Sequence, residues 1–65
     1  MDMVRILRKE RKMTQCQLAQ LLGASQGSVA MWETGKALPS TKMLRKLAKV
    51  FGVTIDQLLN EKENV

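Results

Sequence analysis

Covalent chemistry has few candidates in this 65-residue chain: histidine is absent, Cys16 is the single cysteine, and no carboxylates pair on one face. Neither a nucleophile with its base nor a set of metal ligands can be assembled, so no catalysis, cofactor or small-molecule substrate is expected. A lone cysteine excludes an intrachain disulfide. Cys16 falls near an expected helix start, where a thiol pKa can be lowered, which leaves a redox-sensing role open beside that of an incidental residue. What the chain offers instead is a set of hydrogen-bonding and apolar side chains at helical spacing. At about 100° per residue, Gln26, Gly27, Ala30, Met31 and Thr34 share one arc, while Val29 and Trp32 face the other way. The arc carries no charge. A solvated helix face ordinarily carries Lys or Glu, so this composition suggests contact with another molecule; a weakly polar solvent face is the alternative reading.

The elements that must hold this arc are legible from their ends. Thr14 followed by Gln17 forms a capping box, with Met13 and Leu18 placed as a hydrophobic staple, so a helix begins at Gln15. Leu18, Ala19 and Leu22 form its inward stripe, and Gly23 stops it. Ser25 caps the next helix, residues 26–33, which carries the arc. The short connection brings the two helices together at close range, and Ala19 is small where they approach.

Charge points to the kind of partner. The formal net charge is +5, and its distribution says more than its total. Residues 2–12 hold five basic and two acidic side chains, residues 36–49 hold five basic and none acidic, and between them Glu33 is the only charge. Basic flanks around an uncharged surface suit a polyanion gripped on both sides while the middle meets base edges. Two aromatics, Trp32 and Phe51, are too few for a stacking platform, so double-stranded DNA fits better than a single strand. Gln26 can donate and accept together, matching adenine N6 and N7 in the major groove. Gly27 either reads nothing or permits close approach. Ala30 and Met31 can meet thymine methyl groups, and with no Arg or Lys on the helix an A·T-leaning half-site is expected. Ser25 and Ser28 are candidates for phosphate contacts, and Lys36 is the expected side-chain clamp.

With Gln15, Leu18, Ala19, Leu22, Gly23, Ser25, Gln26, Ser28, Val29, Trp32, Glu33 and Gly35 in this spacing, the segment resembles the helix-turn-helix of the phage Cro/repressor (Xre-type) DNA-binding domains. The similarity extends from about Val4 to Leu59, and the TQ opening, the SQ start, the WE-x-G-K exit and the later LAKVFGV run strengthen it. The resemblance implies an all-α, five-helix, lambda-repressor-like fold with helices 2 and 3 as the helix-turn-helix. It also implies that Gln15 contacts phosphate and braces Gln26, that Arg8 pairs with Glu33 as a structural ion pair, and that Lys42 contacts phosphate. Gly27 departs from the many relatives with a longer polar residue there, which removes one expected base contact.

The rest of the chain reads as support. Asp2 is expected to cap a first helix running to about Arg11, with Met3, Val4 and Leu7 inward; Ile6, beside that stripe, either extends the core or touches a partner. Pro39 breaks helix and Ser40 caps a fourth helix, Thr41 to Phe51, with Lys42, Arg45, Lys46 and Lys49 as a basic stripe opposite its core face. Gly52 ends it, and Thr54 with Gln57 repeats the capping box before a fifth short helix to about Asn60. Ile55, Leu58 and Leu59 exceed what so short a helix can bury, which suggests a homodimer contact or a better-filled core. One domain over residues 1–60 with a short frayed tail at 61–65 is expected. No apolar run suits a signal peptide or a membrane span, so a soluble cytoplasmic location is expected. The sequence thus points to a transcriptional regulator, most simply a repressor bound as a dimer to an inverted repeat. A protein-interaction or antitoxin-like adaptor on the same fold is the alternative.

Overall fold

The computed structural model describes residues 1–59, so Asn60 and the tail at 61–65 lie outside the described residues. Five helices follow one another: α1 (Asp2–Glu10), α2 (Gln15–Leu22), α3 (Gln26–Thr34), α4 (Thr41–Phe51) and α5 (Ile55–Leu59). No strand occurs among the described residues.

The helix starts at α2 to α5 follow their caps. Thr14 Oγ1 accepts from Gln17 N at 3.0 Å while Gln17 Oε1 accepts from Thr14 N at 2.8 Å, closing the box at α2. Thr54 and Gln57 close the same box at α5 with the same two distances, 3.0 and 2.8 Å. Ser25 and Ser40 cap α3 and α4 by accepting from Ser28 N and Met43 N. At α1 the expectation fails. Met1 occupies the cap position without a side-chain bond, and Asp2 is the first helical residue, 3.9 Å from Arg5. Its carboxylate therefore acts by charge on the helix N-terminus rather than as a hydrogen-bonding cap. The helix also closes at Glu10, with Arg11 and Lys12 forming the turn.

The ends of α2, α3 and α4 pass through glycines with left-handed backbone, Gly23, Gly35 and Gly52. After α1 the same conformation falls on Lys12, at φ 56°, where a Cβ is crowded. Cationic groups then meet the last carbonyls of three helices. Lys46 Nζ donates to Leu22 O at 3.1 Å, the Met1 amino group to Trp32 O at 2.7 Å, and Arg11 to Phe51 O at 2.7 Å. Such carbonyls have no partner inside their own helix and favour positive charge.

Val4 and Leu7 of α1, Leu18, Ala19 and Leu22 of α2, Val29 and Trp32 of α3, Leu47 and Phe51 of α4 and Leu58 of α5 make one continuous core. Met43, Leu44 and Ala48 pack against it half-buried. Leu58 is only 1% exposed, so its apolar surplus fills this chain's own core and cannot line a contact with a second copy. Ile55 stays half-buried, and Leu59 and Ile6 remain exposed, at 47% and 41%. The pairing of α2 with α3 is the most extensive between helices, and it seats the arc-bearing helix against α2.

Candidate nucleic-acid interface

The side of α3 away from Val29 and Trp32 presents Gln26, Gly27, Met31 and Thr34 to solvent, with Ala30 half-buried among them. Met31 is 44% exposed. Thr34 turns its hydroxyl back onto its own helix, donating to Ala30 O at 3.1 Å. A Cβ added at Gly27 would meet nothing nearer than Ser25 Oγ at 3.9 Å. The fold itself therefore does not require glycine there, although glycine inside a helix costs about 0.5–1 kcal/mol relative to alanine.

Behind the arc runs a chain of polar side chains. Arg8 donates through Nε to Glu33 Oε2 at 2.7 Å and through Nη2 to Oε1 at 3.1 Å. Its remaining arm, Nη1, donates to Met13 O at 2.7 Å. Glu33 Oε1 also accepts from Gln15 Nε2 at 3.0 Å, and Gln15 Oε1 accepts from Gln26 Nε2 at 2.6 Å. The pair at the root of this chain is buried, with Arg8 9% and Glu33 6% exposed. Burial pushes the Glu33 pKa up, but the hydrogen bonds from Arg8 and Gln15 and the positive charges of Arg8 and Arg5 outweigh it, holding the carboxyl below its ordinary range. The bond to Glu33 in turn raises the Arg8 pKa against the opposing effect of burial. Arg8 and Glu33 thus remain ionised together, and they tie α1, the start of α2 and the last turn of α3 into one unit.

The candidate phosphate ligands differ in how free they are. Ser25 is occupied: its hydroxyl accepts from Ser28 N at 3.1 Å and donates to Ser28 Oγ at 3.0 Å. Ser28, half-buried, keeps its own hydroxyl hydrogen to give. Lys36, just past the end of α3, and Lys42, in the first turn of α4, are exposed. Gln15 is half-buried, with its amide committed on both sides. Lys46, read from the sequence as part of the basic stripe of α4, is instead drawn to the end of α2, and Arg11 lies over the Phe51 ring at 5.2 Å while capping α4. No local spacing announces either bond, because each joins residues far apart in the chain. Cys16 is exposed and unpaired among the described residues. No helix there is long and apolar enough to cross a membrane.

Comparison with known proteins bears on what this arrangement does. The helix-turn-helix family matches residues 4–58. The chain is 42% identical over 57 residues, 88% of its length, to the HTH-type transcriptional activator BcrR of Enterococcus faecalis, of which it spans 28%. It is 33% identical over 60 residues, 92% of its length, to the cryptic phage CTXphi transcriptional repressor RstR of Vibrio cholerae, of which it spans 54%. A third relative, multiprotein-bridging factor 1a of Arabidopsis thaliana, is 35% identical over 48 residues, 74% of this chain and 34% of its own. The chain thus corresponds to about a quarter to a half of these proteins. No solved structure matches with comparable significance. With its five helices, its two-helix unit of α2 and α3 and this match over nearly its whole length, the chain belongs to the helix-turn-helix family.

Proposed function

We propose that this chain is a sequence-specific reader of double-stranded DNA that lays α3 in the major groove. The observation that carries this reading is the uncharged arc of α3, with Gln26 already held at 2.6 Å by Gln15, together with exposed cations at Lys36 and Lys42. Gln26 reads adenine, Ala30 and Met31 meet thymine methyl groups, and Gly27 lets the helix approach the base edges closely. Ser28, Lys36 and Lys42 hold phosphates, with Gln15 contributing the one N–H that its bonds to Glu33 and Gln26 leave over and Ser25 what its capping role leaves free. One domain of this size buries little on DNA, so two copies bind an inverted repeat with their reading helices about 34 Å apart. The contact between copies uses Ile55 and Leu59 on α5. Binding beside a promoter excludes polymerase, which makes repression the simplest output.

Selection of bound duplexes from a random pool, then titration of the best site at two salt concentrations with wild type and Gln26→Ala, tests this. An A·T-leaning inverted repeat, bound with a steep negative salt slope and read less selectively by the variant, is the expected result. Sedimentation of Leu59→Lys should show loss of self-association. A pool without consensus, bound alike by both proteins, would overturn the reading. It would favour a bridging adaptor, for which the exposed Met31 and the likeness to a multiprotein-bridging factor speak.

A further inference from the structure

The polar chain behind α3 has a direction, and the direction is imposed by its buried end. A carboxylate can only accept hydrogen bonds. Glu33, kept ionised beside Arg8, therefore obliges Gln15 to turn its NH2 group inward, toward Glu33 Oε1 at 3.0 Å. The Gln15 carbonyl must then point outward, and it takes one N–H of Gln26 at 2.6 Å. Gln26 is left with one N–H and its carbonyl oxygen to present: one donor beside one acceptor.

We propose that Glu33, which touches no base itself, acts as a positioning residue that fixes which way round Gln26 is offered and so selects adenine over guanine at that base pair. This rests on α3 being the DNA-reading helix. Adenine shows the major groove an acceptor, N7, and a donor, N6–H, which complement the donor and acceptor that Gln26 retains. Guanine shows two acceptors, N7 and O6, and the Gln26 carbonyl would face one of them. Gln26 cannot relieve this by rotating its amide, because its NH2 would then leave the Gln15 carbonyl and set oxygen against oxygen. If the chain ran the other way, with the Gln15 NH2 outward, it would bond to the Gln26 carbonyl. Both Gln26 hydrogens would then face the groove, a pattern that suits guanine. The sign of the charge at Glu33 is thus carried through two amides to the base edge.

The test compares duplexes that differ only by A·T against G·C at the position facing Gln26, located by its loss of preference in Gln26→Ala. The variant is Arg8→Met with Glu33→Gln, which leaves no buried charge unpaired and puts at position 33 an amide that can donate or accept. Wild type should prefer adenine by about tenfold or more, the range of a good bidentate contact. In the folded double variant the preference should collapse toward parity through a gain on the guanine duplex. Adding Gln15→Glu, an acceptor toward Gln26 whichever way it turns, should restore the adenine preference even though overall affinity falls.

An unchanged ratio in the folded double variant would overturn the role of Glu33 while leaving α3 as the reader. Absence of any base preference in wild type would overturn the reading of α3 and the proposal with it. Should the variant not fold, side-chain amide NOEs in the free wild-type protein decide the matter. Contacts from the Gln15 NH2 to Arg8 and Glu33 support the proposed direction, and contacts to the Gln26 side chain instead overturn it.

Discussion

Two stretches of the chain are built alike and used differently. Lys12-Met13-Thr14-Gln15-Cys16-Gln17-Leu18 leads into α2, and Gly52-Val53-Thr54-Ile55-Asp56-Gln57-Leu58 leads into α5. Each begins with a residue in left-handed backbone, at φ 56° and 68°, continues through a half-buried apolar residue, closes a Thr/Gln capping box and buries a leucine four residues past the threonine. They differ just after the cap. Gln15 is hydrogen-bonded to Glu33 and Gln26, whereas Ile55 offers only apolar surface, next to the exposed Leu59 on the same short helix. The shared grammar decides where a helix starts and which side faces inward. The next residue is free to serve something else: a polar network leading to the α3 arc in one case, and in the other an apolar edge, the one proposed above to meet a second copy.

The largest expected effect comes from cutting the network that α5 lacks. Arg8→Met alone strands a buried carboxylate and should destabilise by about 3–5 kcal/mol in chemical denaturation, whereas Arg8→Met with Glu33→Leu should recover most of that loss. The pair also sets an acid limit. The Glu33 carboxyl titrates lower in the folded chain than its ordinary value. Its stabilising contribution is therefore complete above the unfolded carboxyl's pKa of about 4.3 and drains away as pH falls through the depressed folded value. Melting curves across that range should decline less steeply for the double apolar variant than for wild type. If Arg8→Met melts like wild type, the network is not what holds the start of α2 to α3.

The two caps should cost about the same to remove. Thr14→Ala and Thr54→Ala are each expected to lose about 1 kcal/mol of stability. Only Thr14→Ala should in addition blur the choice of base at the Gln26 position, measured on matched duplexes at equal fraction folded. Equal blurring by Thr54→Ala would break the division of labour between the two stretches.

The smallest change makes the two stretches more alike. Lys12 holds a left-handed backbone that Gly52 adopts without crowding from a Cβ. Lys12→Gly should raise the melting temperature by a few degrees, a gain of about 0.5–1 kcal/mol set against the greater freedom of the unfolded chain. A fall in stability would mean that the Lys12 side chain contributes more than its backbone strain costs.

Local features were legible in the sequence because their partners sit three or four residues away. The boxes at Thr14 and Thr54, the caps at Ser25 and Ser40 and the stops at Gly23 and Gly52 all appear where spacing put them, while α3 runs one residue beyond the expected 26–33, to Thr34. Resemblance supplied the Arg8 to Glu33 pair and the Gln15 brace on Gln26, which no local rule could have joined across 25 and 11 residues. Asp2 misled because a carboxylate at the head of a helix is favourable both as a cap and as a first-turn charge. Leu58 misled because an apolar stripe does not say whether its cover belongs to the same chain. Lys46 and Arg11 were hidden for another reason. A flexible cation can reach any helix end within its radius, and which one it finds depends on how the helices pack.

The space beside Gly27 has a consequence for how such a protein changes over generations. Position 27 sits in the first turn of α3, where an added Cβ would meet no residue beyond its chain neighbours and its own helix backbone nearer than Ser25 Oγ at 3.9 Å, so that it leaves the core undisturbed. A single codon change there would strengthen the helix while adding a new group to its outer face. Under the proposed reading of DNA by α3, base preference would therefore drift by one mutation with no interval of instability to cross, and lineages that share this scaffold would diverge in the sites they bind without first acquiring a stabilising change elsewhere.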